Sequence, residues 1–244
     1  MTDTQHTRPP AERFIAAYES ALDHLSHQYE ESFHGFGAVL RHEKARRNQV
    51  VERNQAVLRR LAELRNVIAH NPSRDGEPIA IPRPHAVEQM ERIAQLIQRQ
   101  PPIKDFMVVN PIRLSRDSTL AEVAATVVEL DISQMPIYEG DEYVGLFTTN
   151  AMARWLSASI AEDGILLAED VTVAKLIEHA EEHEQAAFVK PTVPALRAAQ
   201  RMLNPTAPPA LLISTDGTEA GQLQGIFTRF EVAAVLKEVT VPLP

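Results

Sequence analysis

Two stretches of the chain, "GLFTTNAMARWL" (145–156) and "GIFTRFEVAAVL" (225–236), repeat one pattern 80 residues apart. Each has a glycine, two apolar residues and a threonine before a helical pattern. Upstream, "TLAEVAATVVEL" (119–130) and "TVPALRAAQRML" (192–203) align at a spacing of 73 residues. The seven-residue difference fits a longer loop around "TDGTEAGQLQ" in the second copy. Self-similarity at a fixed spacing indicates an internal duplication.

The duplicated region alternates short apolar strands with helices. Strand patterns appear in "FMVVNPIRL", "QMPIY" and "EYVGLFT", and helical patterns appear between and after them. Such alternation favours an α/β or α+β fold.

The region before Pro102 has helical periodicity instead. Apolar residues three, four or seven apart predict three main helices. The second must end near His70, because Asn71 precedes Pro72 and a residue before proline avoids the α conformation. The three stripes are Phe14, Tyr18, Leu22, Leu25 and Tyr29; Val50, Val57, Leu61, Leu64 and Ile68; and Val87, Met90, Ile93 and Ile97.

These patterns together predict an α+β protein with three domains. An all-α helical bundle over residues 1–100 is followed by two β-α-β-β-α repeats, over residues 101–165 and 166–244. At 244 residues the chain is long enough for each part to bury a core.

The composition limits the kinds of site. No cysteine occurs, which excludes disulfides, cysteine-ligated zinc and a thiol nucleophile. No signal peptide pattern and no long apolar run is present, so we expect a cytoplasmic protein without a membrane partner. The net charge of −9 comes entirely from the region after residue 100. Residues 41–65 are locally basic, as a polyanion-binding surface or a solvated helix face would be.

The duplicated region resembles tandem cystathionine-β-synthase (CBS) domains, a Bateman module, over roughly residues 103–240. Four elements recur in the order typical of that family: "IKDFMVV", "DSTLAEVA", "SQMPIY" and "YVGLFT". The resemblance implies an adenosine nucleotide such as AMP, ADP or ATP as a regulatory ligand in the cleft between the copies. It also implies dimerisation through helices of the module.

The same resemblance implies the ligand-binding residues. In the family a threonine hydroxyl contacts phosphate or ribose, and Thr148 and Thr228 match that threonine. An acid three residues later contacts the ribose hydroxyls, and this position holds Ala151 in the first copy and Glu231 in the second. We therefore expect nucleotide binding at the second copy.

A structural interpretation competes for the same residues. Threonine is a good N-cap, and Thr228 with Glu231 has the spacing of a capping box. An exposed helix N-terminus is also an anion site, so both interpretations stay open.

The first region resembles the HEPN superfamily (higher eukaryotes and prokaryotes nucleotide-binding). The motif is Arg65-Asn66-x-x-x-His70, in "LRNVIAHN" at the end of the long helix. The resemblance implies a metal-independent ribonuclease whose two subunits form one RNA cleft. His70 would move a proton near neutral pH, and Arg65 would hold the phosphate. Asn66 would orient the histidine or hold a phosphate oxygen.

Helix geometry leaves two arrangements open for that chemistry: the last turn unwinds before Asn71 and Pro72, or the two groups act from different chains of a dimer. Arg65 and His70 lie about 140° apart around an unbroken helix, so they converge poorly within one chain. The alternative is that arginine, asparagine and histidine stand there because helix C-termini favour them.

The acidic stretch "EHAEEHEQ" (178–185) contains "HAEEH", which fits the inverted zinc-peptidase pattern H-x-x-E-H. No third ligand is identifiable nearby, so we interpret this stretch as a solvated helix face and predict no metal site.

Two functions follow. In the first, a nucleotide bound by the CBS-like region controls a ribonuclease formed by two helical domains of a homodimer. In the second, the helical domain is a non-enzymatic scaffold or dimerisation element that responds to the nucleotide.

Overall fold

The computed structural model describes residues 8–70, 80–163 and 171–243. The chain divides into two compact units. Unit 1 comprises Met1–Pro101 and Leu236–Pro244, and unit 2 comprises Pro102–Val235. No helix in the described part of the chain is long and apolar enough to cross a membrane.

The elements are named in chain order. The α-helices are α1 (Pro10–Tyr29), α2 (Phe36–Arg41), α3 (Gln49–Arg53), α4 (Gln55–His70), α5 (Pro84–Gln98), α6 (Leu120–Leu130), α7 (Thr149–Asp163), α8 (Val173–Ile177), α9 (Ala195–Leu203) and α10 (Val232–Val239). The strands are β1 (Val108–Val109), β2 (Gln134–Glu139), β3 (Glu142–Thr148), β4 (Ala187–Val189), β5 (Leu211–Ser214) and β6 (Leu223–Phe227).

Unit 1 is built around the pairing of α1 with α5. The apolar stripe predicted for α1 is confirmed, since Phe14, Tyr18, Leu22 and Leu25 are buried. At the edge of the pair, Arg13 forms a two-pronged ion pair with Glu91, at 2.9 and 2.8 Å. Bidentate geometry of this kind also fixes the register of the two helices.

The second predicted helix is interrupted at Asn54, which separates α3 from α4. Asn54 is buried, and its amide nitrogen donates to the carbonyl oxygen of Val50 at 2.9 Å. An asparagine side chain that bonds the preceding turn competes with the helical backbone, which explains the break. The apolar periodicity continues across it, because Val57, Leu61 and Ile68 of α4 are buried.

The last residues of the chain belong to unit 1. The amide nitrogen of Asn54 also donates to the carbonyl of Val239 at 3.0 Å, and its oxygen accepts from the N–H of Val241 at 2.8 Å. Gln89 of α5 donates to the carbonyl of Pro242 at 2.6 Å. The Arg92 guanidinium bonds the Glu238 carboxylate. Unit 1 is therefore completed by a segment far away in sequence.

Unit 2 contains the duplication. The first copy has the order α6-β2-β3-α7, and the second has the equivalent order α9-β5-β6-α10. Within each copy the two strands form an antiparallel pair. The predicted mixture of helix and sheet is confirmed.

The two copies exchange the segments that precede them. Strand β1, which leads into the first copy, pairs with β6 of the second, so that the sheet order is β1-β6-β5-β4. Conversely, the lead-in of the second copy packs on the first. There the N–H of Leu120 donates to the carbonyl of Val171 at 2.8 Å, and Val173 and Leu176 share a buried cluster with Phe147.

Apolar clusters stabilise the described part of unit 2, and two of them join residues from both copies. The first contains residues of the first copy, including the buried Trp155, packed with Val173 and Leu176 from the lead-in of the second copy. The second joins the strand pairs, with Tyr138 and Leu146 packed beside Leu212 and Ile226. The copies are thus held face to face by burial of apolar surface.

Candidate functional site

The threonines of the two copies line one cavity of about 550 Å³ in unit 2. Each copy contributes the residues at the end of its second strand. These are Thr148, Thr149 and Asn150 from the first copy and Thr228, Arg229 and Phe230 from the second. Residues 80 apart in sequence are thus brought to one site by the duplication.

The second copy supplies a cation and an aromatic ring. Arg229 and Phe230 are exposed, and Phe230 is 88% exposed although it is a large apolar residue. A guanidinium binds phosphate oxygens through several donors, and an exposed ring offers a face on which a base can stack. The first copy has Thr149 and Asn150 at the equivalent positions, so the cavity is chemically asymmetric.

Thr228 and Glu231 bond each other directly. The Glu231 carboxylate accepts from the Thr228 N–H at 2.6 Å and from its hydroxyl at 2.8 Å. The Thr228 oxygen accepts from the N–H of Phe230 at 3.2 Å, rather than from Glu231 as in a full capping box. This is half of the reciprocal cap expected from the sequence, and it holds the carboxylate beside the cavity.

Thr148 caps α7 and is buried. Its oxygen accepts from the N–H of Ala151 at 3.0 Å, as an N-cap residue does. Its hydroxyl donates to the Glu184 carboxylate, also at 3.0 Å. Ala151, at the position of the missing acid, is completely buried.

Glu184 is a residue that sequence reasoning missed. It lies in the stretch "EHAEEHEQ", which we interpreted as a solvated helix face, and that interpretation is wrong. Helix α8 ends at Ile177, the chain then turns, and a 3-10 turn over Glu182–Glu184 directs Glu184 inward. Glu184 is only 3% exposed, lines the cavity and bonds Arg154 of α7.

The carboxylate of Glu184 accepts hydrogen bonds from three donors. Besides Thr148 and Arg154, the backbone N–H of Glu181 donates to it at 3.0 Å. Arg154 is itself fixed, because its Nε donates to the carbonyl of His179 at 2.8 Å. A buried charge persists only when it is paired and hydrogen-bonded in this way.

The predicted catalytic residues of the helical unit lie at the end of α4. Arg65 is half-buried, with its guanidinium 5.8 Å from the centre of the Tyr18 ring, and Asn66 is exposed. The pKa of Tyr18 is raised, chiefly because the side chain is buried. The hydrogen bond from the Phe36 N–H and the nearby Arg65 charge offset part of this rise. The side chain of His70 lies outside the described residues, so its approach to Arg65 stays a prediction.

Comparison with known proteins identifies part of unit 2. Residues 103–158 match the family model described as "CBS domain". A comparison with the curated proteins finds no match.

The chain is also similar to several solved structures. CBSX2 in complex with AMP is 17% identical, with 57% of this chain and 97% of that one covered and a TM-score of 0.43. A putative acetoin utilization protein (AcuB) from Vibrio cholerae is 19% identical, with 59% and 100% covered and a TM-score of 0.45. The CBS domain of a bacterial CNNM/CorC family Mg²⁺ transporter in complex with ATP is 18% identical, with 65% and 100% covered and a TM-score of 0.43. The match over residues 103–158 confirms the predicted resemblance of the first copy to a CBS domain.

Proposed function

We propose that this chain is a regulatory protein that senses an adenosine nucleotide through the cavity of unit 2. One observation carries the proposal. Thr148 and Thr228 line the same cavity as an exposed guanidinium and an exposed aromatic ring. The guanidinium can bind the phosphate of a nucleotide, the threonines can contact its phosphate or ribose, and the aromatic ring can stack on its base.

The asymmetry of the cavity supports one orientation of the ligand. Among the described residues that line the cavity, Arg229 has an exposed guanidinium that forms no ion pair with another described residue. The phosphate would therefore lie near Arg229, and the base would stack on Phe230. Beside the start of α7 the Glu184 carboxylate accepts from the Thr148 hydroxyl, and its negative charge disfavours a phosphate there.

Calorimetric titration with AMP, ADP and ATP tests the proposal. We expect at least one of them to bind the wild-type protein, and Arg229→Met and Thr228→Ala each to weaken it about tenfold or more, as loss of a charged hydrogen bond does. Thr126→Ala, a threonine substitution on α6 outside the cavity lining, is the matched control. Equal binding by wild type and Arg229→Met would contradict the orientation, and no binding of any of the three would contradict the function.

For the helical unit we propose a scaffold that dimerises and responds to the nucleotide. The contact between Arg65 and the buried Tyr18 supports a structural rather than a catalytic role for Arg65, because a guanidinium over its own core ring stabilises the unit. Light scattering tests the dimer, and a monomer at all concentrations would exclude it.

A metal-independent ribonuclease acting on RNA is the alternative function. The exposure of Asn66 at the end of α4 favours it, since this side chain is accessible to a substrate. Incubation of wild type and His70→Ala with structured RNA distinguishes the two functions. Cleavage by the wild type alone would establish the enzyme, and equal behaviour of both proteins would leave the scaffold.

A further inference from the structure

Thr148 and Thr228 are each hydrogen-bonded to a carboxylate, although only one copy has an acid at the expected position. In the second copy the partner of Thr228 is Glu231, three residues away, at 2.8 Å. In the first copy the partner of Thr148 is Glu184, 36 residues away, at 3.0 Å. The structure thus restores in the first copy a pair that the sequence has lost at Ala151.

The position of Glu184 is set by groups that hold it firmly. Its Oε2 accepts from the Glu181 N–H and from Arg154, while its Oε1 accepts from Thr148. Arg154 has no counterpart in the second copy, where the equivalent residue is Ala234. The pair of Arg154 and Glu184 is therefore specific to the first copy and is not inherited from the repeated pattern.

The number of unused lone-pair positions on the Glu184 carboxylate determines which further groups it can bind. A carboxylate has about four lone-pair positions, and three donors are in place. The remaining position is on Oε1, and Glu184 lines the cavity. A negative phosphate is disfavoured beside this oxygen, whereas a neutral hydroxyl can donate to it.

We propose that Glu184 takes over the role of the acid absent at position 151 and accepts a hydrogen bond from a sugar hydroxyl of the bound nucleoside. This inference rests on the proposed nucleotide function. It adds a recognition residue from outside the repeated motif. It also assigns the ends of the cavity, with the phosphate at Arg229 and a sugar hydroxyl at Glu184.

The test compares ligands that differ only in one hydroxyl. AMP, 2′-deoxy-AMP and 3′-deoxy-AMP are titrated into wild type, Glu184→Gln, Glu231→Gln and the control Glu182→Gln. Glu182 lies on the same 3-10 turn but is exposed and outside the cavity lining, so its substitution removes the same charge without the contact. A hydrogen bond to a charged group corresponds to about a tenfold to hundredfold preference.

We expect wild type and Glu182→Gln to prefer AMP to one deoxy analogue by at least about tenfold. Glu184→Gln should bind AMP and that analogue almost equally. Undiminished preference in Glu184→Gln, or its loss in Glu231→Gln alone, would overturn the inference while the nucleotide function stands. If no nucleotide binds the wild type, the proposed function fails, and this inference fails with it.

Thermal unfolding monitored by circular dichroism shows whether each variant is folded. If Glu184→Gln does not fold, Glu184→Asp replaces it, because it keeps the charge but withdraws the carboxylate by one methylene. A folded Glu184→Asp that retains the full wild-type preference for the hydroxyl would likewise overturn the inference.

Discussion

The two copies of unit 2 have the same element order but fix their threonines in different ways. In the second copy the acid is local, and Thr228 and Glu231 lie on one half-exposed turn. In the first copy the acid is remote, and Thr148 and Glu184 are both buried. The comparison shows that a repeat can keep a local geometry while the residue that supplies it moves elsewhere in the chain.

The largest expected effect comes from removing the cation of the first copy. Arg154→Met leaves the buried Glu184 carboxylate without its charge partner, and breaking a buried pair costs about 3–5 kcal/mol of the free energy of unfolding. Because Arg154 is one-third exposed, we expect the lower end of this range. Urea unfolding measures it.

A double-variant cycle checks the cause. Arg154→Met combined with Glu184→Gln should recover much of the loss, because the uncompensated charge is gone. Ala234→Ser, at the equivalent position of the second copy, serves as the control and should have little effect. Additive losses in the double variant would contradict the pairing.

The equivalent glycines Gly145 and Gly225 give the next prediction. A Cβ on Gly225 would lie 2.4 Å from the sulfur of Met107 and 2.9 Å from the carbonyl oxygen of Val108, whereas nothing lies within 4 Å of one on Gly145. Gly225→Ala should therefore cost about 1–3 kcal/mol, while Gly145→Ala should be neutral or slightly stabilising. Equal melting temperatures of the two variants would contradict the pairing of β1 with β6.

Substituting the two threonines should affect stability unequally. Thr148→Val removes an N-cap and a donor to a buried carboxylate, with an expected cost of about 1–2 kcal/mol. Thr228→Val, on the half-exposed turn, should cost about 0.5–1 kcal/mol. Chemical unfolding of both variants measures the loss in free energy of unfolding. A larger loss for Thr228→Val than for Thr148→Val would contradict this prediction.

The smallest effect concerns the helices α6 and α9, which also differ between the copies. Thr119 and Glu122 form a full capping box on α6, whereas Pro194 precedes α9 without a side-chain cap. The hydrogen bonds from the N–H and hydroxyl of Thr119 lower the pKa of Glu122.

A lowered pKa in the folded state stabilises the protein above the unfolded-state pKa of about 4.3 and is lost as the pH falls through the folded-state pKa. We therefore expect Glu122→Gln to lower the melting temperature slightly at neutral pH, and to equal wild type in strong acid. A difference between the two proteins that persists there would show that the ionised carboxylate is not the cause.

The duplication could be predicted because its signals are local. The glycine, apolar pair and threonine before α7 and α10 recur within twelve residues, and the hydrophobic periodicity of α1 and α5 is equally short-range. These patterns are visible without knowledge of tertiary contacts.

The exchanged lead-in segments could not be predicted. Strand β1 has only two residues, and its pairing with β6 joins Val108 to Ile226 across more than one hundred positions. Neither propensity nor alternation specifies the partner of so short a strand.

Glu184 was missed for a related physical reason. Surrounded by other acids, it is indistinguishable in sequence from solvated neighbours such as Glu182. Burial of this carboxylate depends on tertiary structure, namely the turn after α8, the charge of Arg154 and the hydroxyl of Thr148. The absence of an acid at Ala151 was the available signal, and it shows that a carboxylate is missing without indicating where a substitute would be found.

The return of the chain to unit 1 has a consequence for biosynthesis. The buried amide of Asn54 finds its backbone partners in Val239 and Val241, which are translated almost two hundred residues later. As the nascent chain leaves the ribosome, the first helices can form, but their packing stays incomplete until unit 2 has been made. The ordinary sequence of co-translational folding, in which the N-terminal domain matures first, is therefore reversed in its final step.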